Sequence, residues 1–238
     1  MKKIIILVGF ITSLTSCAEL KDIAGQLPQD SQKLTQQQIG NGLREALNKG
    51  IEKEVSKLTQ TDGFYRNEAV KIMMPKELQK VESGLRKVGL GSLADEGIKA
   101  LNRAAEDAVK EATPIFVSAV KEMSFTDAKN ILMGSDRAAT SYLETKTTSQ
   151  LYNKFNPVIQ NSFKKVGADQ IWSNLISRYN KIPFTEKVNP DLTDYVTNRA
   201  LNGVFEMISK EEIQIRNNLS ERSSNLLKRV FAMQDKKS

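Results

Sequence analysis

From Thr35 onward, apolar residues recur at spacings of three and four, and that period constrains the chain more than any other feature. Ile39, Leu43, Leu47, Ile51, Val55 and Leu58 fall on one face of a helix. The chain has only six prolines and thirteen glycines in 238 residues, too little punctuation for many short strands and tight turns. An all-α fold follows: an irregular multi-helix bundle of about eight to ten helices.

The helices can be laid out from caps and breakers. Thr35-Gln-Gln-Gln38 has the spacing of a capping box, in which the first and fourth residues satisfy each other's backbone amides. Thr61-Asp62-Gly63-Phe64 ends that helix, with Gly63 supplying the permissive backbone. Residues 65–74 read either way, and Ile72-Met73-Met74 before Pro75 is biased towards extended structure. Pro75 suits a first turn, and Leu78, Val81, Leu85 and Val88 form a stripe before the stop at Gly89-Leu90-Gly91. Ser92 to Asp95 spells a second capping box, leading into Ile98, Leu101, Ala105, Ala108, Val109 and Ala112.

A new start or kink is expected at Thr113-Pro114, a short helix over about 126–133 before Gly134, and a cap from Ser135 or Asp136 for a segment to about Lys146. Thr147-Thr-Ser-Gln150 repeats the box spacing ahead of Leu151, Phe155, Ile159, Phe163 and Val166, with a kink expected at Pro157. A helix with Ile171, Trp172, Leu175, Ile176 and Tyr179, a loop from Lys181 to Pro190, a long helix over Asp191–Asn217 and a last one with Leu226, Leu227, Val230 and Phe231 complete the layout.

The amino terminus reads as an address. Met1-Lys2-Lys3, the apolar run Ile4–Ile11 and the small-residue exit to Cys17 form a secretory signal, far short of the roughly 20 residues that span a bilayer. Leu14-Thr15-Ser16-Cys17 resembles the bacterial lipobox. The resemblance implies a diacylglyceryl group on the Cys17 sulfur and cleavage before Cys17; the alternative is a plain secretory signal followed by a free thiol. Two or three acyl chains would satisfy the two-signal requirement for stable attachment. Ala18 favours the outer membrane facing the periplasm, while Glu19, Lys21 and Asp22 leave a surface-export signal open.

The expected organisation is residues 1–16 as signal peptide, 17–34 as lipidated cysteine and flexible tether, and 35–238 as one helical domain. About 17 flexible tether residues reach roughly 20 to 25 Å. Loss of residues 1–16 removes Lys2 and Lys3, leaving 33 basic and 28 acidic residues, a charge of +5. For an envelope protein this surplus reads first as a mildly basic solvated surface; where it meets a partner beside the membrane reached through Cys17, anionic lipid, an envelope protein or a polyanionic polymer is the available counter-charge, and not nucleic acid.

The segments Asp62-Gly63-Phe64, Leu101–Glu106, Pro114–Phe116, Ile131–Gly134 with Ala138–Thr140, Asp194–Thr197 with Ala200-Leu201, and Glu211-Glu212 to Arg216, taken in order, resemble one bacterial family. It is the helical, envelope-directed domain of unknown function numbered four-one-nine-seven, and the likeness covers about residues 38–232. The resemblance implies an all-helical domain behind a signal peptide and brings no established activity, cofactor or catalytic residue.

The chemistry is narrow. With no histidine, Ser-His-Asp hydrolysis, Cys-His proteases and His-built metal sites are excluded, and one cysteine forms no intrachain disulfide. No glycine pattern matches a phosphate loop, and no Asp-rich loop matches a calcium site, so no cofactor or metal is expected. The densest carboxylate sets are Asp191 with Asp194, and Glu211 with Glu212 and Arg216; either could share a helix face, as metal ligands or a glycosidase pair would, but such sets more often serve as caps and exposed ion pairs. Phe155, Phe163, Trp172, Tyr179, Phe184, Tyr195 and Phe205 suit core packing first and a ligand groove second, and Met73, Met74 and Met207 suit either. The expected function is a lipid-anchored envelope protein with a non-catalytic binding or assembly domain. A carboxylate-dependent hydrolase of cell-wall polymer and a structural oligomerising module are the alternatives.

Overall fold

The stripe that begins at Ile39 forms α1 (Gln36–Leu58), and its start closes as the capping box requires. Thr35 Oγ1 accepts from the Gln38 backbone N–H at 3.2 Å, and Gln38 Oε1 accepts from the Thr35 N–H at 2.9 Å. All six stripe residues are buried. The computed structural model describes residues 34–165, 167, 177, 180, 181, 183, 187 and 191–235. The signal, Cys17 and most of the tether lie outside the described residues, as do Trp172, Tyr179, Phe184 and the helix expected around Ile171.

Seven further helices follow among the described residues: α2 (Gln79–Lys87), α3 (Gly91–Val109), α4 (Ala112–Glu122), α5 (Phe125–Leu132), α6 (Ala138–Lys164), α7 (Leu192–Asn217) and α8 (Asn225–Asp235). Single 3-10 turns precede α2 and α8, at Lys76–Leu78 and Leu219–Glu221. There is no strand among the described residues, and the fold is the all-helical bundle expected.

The long helices build the core. α7 lies along α6 and packs on α1 and α3, while α1 also carries α4, α5 and α8. Phe116 of α4 meets Phe205 of α7 edge to face at 5.8 Å, and Phe155 and Phe163 of α6 are buried, so these aromatic residues are core. α4 begins afresh at Ala112 with Pro114 in its first turn, where a missing N–H leaves no bond unmade. α2 packs chiefly on α3.

Several local expectations fail for physical reasons. α3 starts at Gly91, one residue before Ser92, so Ser92 is already helical and no box forms. Asp95 instead accepts from Arg86 at 2.6 Å, and that bond holds its carboxyl below the usual range. α6 runs unbroken from Ala138 to Lys164 through Pro157, so Thr147 is interior; its Oγ1 donates to the Leu143 carbonyl at 2.6 Å, as hydroxyls inside helices do. Neither Ser135 nor Asp136 caps α6, whose N-cap is Arg137. α2 ends at Lys87, so Val88 is no part of a buried stripe and is 71% exposed.

After α1 the left-handed residue is Asp62, φ 68°, not Gly63. Gly63 is required for space: a Cβ there would lie 2.4 Å from the Lys57 carbonyl oxygen. A box that spacing did not single out forms at α5, where Ser124 and Asp127 exchange backbone bonds at 3.0 and 3.1 Å.

Gly203 of α7 lets the segment after α1 come close. A Cβ at Gly203 would sit 2.7 Å from the ring of Phe64, itself fully buried, and 3.3 Å from Val70. Gly→Ala in a helix interior is worth up to about 1 kcal/mol in helix propensity. Against that, overpacking a rigid core costs about 1–3 kcal/mol. Gly203→Ala is therefore expected to lower stability by about 1 kcal/mol or more, read as a lower urea midpoint at unchanged slope.

Candidate functional site

The two carboxylate sets fall near opposite ends of α7. From Asp194 to Glu211 is 17 residues, about 25 Å of helix at 1.5 Å per residue. A glycosidase pair needs its carboxyls roughly 5 to 10 Å apart, so the sets cannot form one catalytic centre.

At the amino-terminal end, Asp191 is the N-cap of α7 and accepts from the Asp194 N–H at 3.0 Å. Asp194 Oδ1 accepts from the Tyr152 hydroxyl at 2.6 Å and from the Asn198 amide at 3.0 Å. The bond to Asp194, with burial behind it, pushes the Tyr152 hydroxyl up to about 12.

At the other end the carboxylates close helices and join them. Glu211 takes Lys53 of α1 at 2.7 Å, which raises the lysine. Glu212, buried, supplies the missing cap of α6: its Oε1 accepts from the Ala139 N–H at 2.9 Å, and its Oε2 accepts from the Thr140 N–H and Oγ1 at 2.8 Å each. Glu212 Oε1 also accepts from Arg216 Nε and Nη2 at 3.0 and 2.8 Å. The rest of the Arg216 fork reaches the carbonyls of Ile131 (2.8 Å) and Leu132 (3.2 Å) at the end of α5, and Gln234 of α8 at 2.7 Å. All five guanidinium donors are used. A carboxylate at a helix start and a cation at a helix end are each favoured by the helix dipole.

Arg222 repeats the device. It donates to the carbonyls of Ile215 and Arg216 at 3.0 and 2.7 Å, ending α7, and grips Asp235 of α8 at 2.6 and 2.9 Å. The grip lowers the Asp235 carboxyl. The fold already takes five bonds on the two Glu212 oxygens, which tie it to α6 and to Arg216. The cavity beside it, between Leu43, Leu47, Ile208 and Phe231, holds about 30 Å³, room for about two waters.

A second buried clasp holds the segment after α1 against α3. Asn102 Oδ1 accepts from the Ile72 N–H at 2.8 Å, and its amide donates to the Ile72 carbonyl at 2.8 Å and to that of Ile98 at 2.7 Å. Glu106 accepts from the Phe64 N–H at 3.1 Å and from Arg103 at 2.6 Å, and Arg103 reaches Asp62 at 2.6 Å. Sequence reasoning missed this group and Arg222. Polar Asn102 and Glu106, four apart beside the stripe of Ile98, Leu101 and Ala105, were the available signal.

The clasped segment and α7 enclose a cleft of about 250 Å³ lined by Ala69, Val70, Lys71, Arg199, Asn202, Gly203 and Glu206. Lys71 Nζ lies 4.8 Å over the Tyr65 ring, and its ion pair among the described residues is a 3.9 Å contact to exposed Glu68. Arg199 stands 5.9 Å over the Tyr195 ring and makes no ion pair among the described residues. Tyr195, half-buried, donates to the Met73 carbonyl at 3.1 Å. Met74 and Met207 are also half-buried, and Met73 is exposed. Leu14, Thr15, Ser16 and Cys17 lie outside the described residues.

Removing one partner of a buried ion pair costs about 3–5 kcal/mol. Glu212→Ala and Arg216→Ala should each lose that much by urea unfolding, and the double variant less than their sum. For Tyr152 the folded value is raised, so its contribution is complete below the unfolded value near pH 10 and is lost as pH climbs towards 12. Tyr152→Phe should flatten that alkaline decline, as followed by thermal melting across pH 9–12.

The family described as protein of unknown function (DUF4197) matches residues 33–232. No curated protein and no solved structure matches the chain significantly. The matched span runs from just before the α1 cap into α8 and takes in both clasps and the cleft: the chain belongs to the DUF4197 family.

Proposed function

We propose that this chain is a lipid-anchored bacterial envelope protein whose helical domain works by binding rather than by catalysis. The observation that carries the reading is the occupation of its carboxylates: Glu212 accepts five bonds, and Asp191, Asp194 and Glu211 are engaged as cap, tyrosine acceptor and lysine partner. A cell-wall hydrolase would need two of them free and near each other. The anchor rests on the lipobox-like Leu14-Thr15-Ser16-Cys17 and on the chain's single cysteine standing in it. No helix among the described residues is long and apolar enough to cross a membrane. The partners in this reading are the bilayer, through the lipid on Cys17, and an envelope protein, lipid or polyanionic polymer, with the outer membrane facing the periplasm as its place.

One observation favours an assembly role as a second reading. At the turn between α2 and α3, Val88, Leu90 and Leu93 are 71, 49 and 56% exposed, an apolar tip where α2, packed chiefly on α3, turns into it. Light scattering on the Leu90→Ser, Leu93→Ser variant separates the readings, because an assembly held by the tip becomes smaller and a monomer does not change.

Cells fed a labelled fatty acid should yield a labelled, membrane-associated wild-type protein and an unlabelled Cys17→Ser variant that leaves the membrane fraction. An unlabelled wild-type protein would end the anchor reading.

A further inference from the structure

We propose that the cleft between the Ala69–Lys71 segment and α7 is a binding site for a phosphate monoester, with Lys71 and Arg199 as its two cationic arms. This assignment rests on the reading of the domain as a binding module and names the chemical class of its ligand. Arg199, Asn202, Gly203 and Glu206 recur at spacings of three, one and three, so they share one face of α7. Because Gly203 has no side chain, Phe64 and Val70 lie close against that face, and Lys71, the next residue, is carried to its edge. The Lys71 side chain is only 23% exposed, so its charge is partly withdrawn from water, where attraction to an anion is screened less than at open surface.

Among the described residues neither arm has a close counter-ion: Lys71 has the 3.9 Å contact to Glu68, whose side chain is 87% exposed, and a longer-range attraction to exposed Asp95, and the Arg199 guanidinium rests on the Tyr195 ring. Both cations rest on aromatic faces, which steer them without neutralising them. The one carboxylate in the lining, Glu206, is itself engaged by Arg137 at 3.8 Å and Lys210 at 3.7 Å, so its repulsion is offset. A phosphate monoester carries about −1.5 to −2 at neutral pH and three acceptor oxygens. Its third oxygen and extra charge let it answer two cations and the Asn202 amide together, one oxygen and up to one charge more than a carboxylate offers. The volume of about 250 Å³ admits the phosphate and a few attached atoms, not a large apolar ligand.

The ligand phosphate could be free in solution or carried on a lipid headgroup, and two probes distinguish these. The full chain bearing Cys17→Ser is used without detergent, so the vesicles stay intact and the outcome is independent of acylation. One arm titrates inorganic phosphate at constant ionic strength by calorimetry; the other measures co-sedimentation with neutral phosphatidylcholine vesicles with and without phosphatidate. Saturable one-to-one binding on at least one arm is expected, weakened at least tenfold by Arg199→Ala and by Lys71→Ala and unchanged by Lys110→Ala, a surface lysine outside the cleft. Arg199→Gln keeps a polar, hydrogen-bonding side chain without the charge and should lose binding equally. Binding on the phosphate arm alone identifies a soluble ligand, and on the vesicle arm a headgroup. No saturable binding on either arm, or the same loss with Lys110→Ala, or full binding by the Arg199→Ala, Lys71→Ala variant, overturns the site. None of these results bears on the anchor, which stands or falls on the fatty-acid label.

Discussion

The carboxylate of Glu212 does work that no local residue does. α6 begins without a side-chain cap of its own, and α5, at eight residues, is too short to persist as an isolated helix in water. One glutamate on α7 closes the first, and the arginine one turn later on the same helix closes the second. The unpaired amides and carbonyls at helix ends must be satisfied somewhere, and burial without partners would cost about 1–3 kcal/mol for each group. Arg222 ends α7, and Arg44 of α1 donates to the Met123 carbonyl at the end of α4. The bundle is held not only by its apolar stripes but by long side chains that reach across to other helices' ends. The ion pair and the fold therefore depend on each other: Glu212 and Arg216 are tolerable in the core because the ends of α5 and α6 surround them, and those ends are tolerable because the pair is there.

This explains what could be read from the residues alone and what could not. The helices were legible because an amphipathic period is a property of one segment, and the stripe from Ile39 to Leu58 needs no knowledge of its partners. Caps were legible only where both members lie within four residues and the helix begins between them, as at Thr35 and Gln38. The same spacing at Thr147 and Gln150 misled, since a hydroxyl and an amide three apart also occur inside a continuous helix, where the hydroxyl turns back on the preceding turn. Glu211, Glu212 and Arg216 stood out as a dense charged set, yet the cap, helix-end and lysine partners that give them meaning lay 72 to 158 residues away. Nothing in a single segment announces that distance. For the same reason the cleft escaped notice, because Lys71 and Arg199 are ordinary surface cations until the fold sets them on one edge.

The segments that carry the family likeness acquire a physical interpretation in the structure. Asp62-Gly63-Phe64 meets Arg103 and Glu106 of the Leu101–Glu106 segment, while Ile131–Gly134 and Ala138–Thr140 meet Glu212 and Arg216. Four of the six segments thus belong to two buried polar clasps, the parts of the molecule where a changed side chain leaves an orphaned charge or amide. Such residues report how the chain folds, not what it binds.

The clasps nonetheless bear on binding through position. Ile72 is held by both its N–H and its carbonyl to Asn102, and Phe64 is held at its N–H by Glu106 and against Gly203 by contact. Lys71 is the residue immediately before Ile72, so its backbone is fixed from one side by a hydrogen-bonded pair and from the other by the packing of Val70 on α7. A ligand arriving between Lys71 and Arg199 would not have to order the chain segment that carries the lysine, and the entropy cost of binding falls accordingly. Rigid placement of a first contact by a buried supporting shell is what separates a preorganised site from two cations that happen to be near each other. The same argument sets the direction of influence: loosening Asn102 would free the segment and weaken the cleft, whereas neutralising Arg199 at the surface would leave both clasps in place.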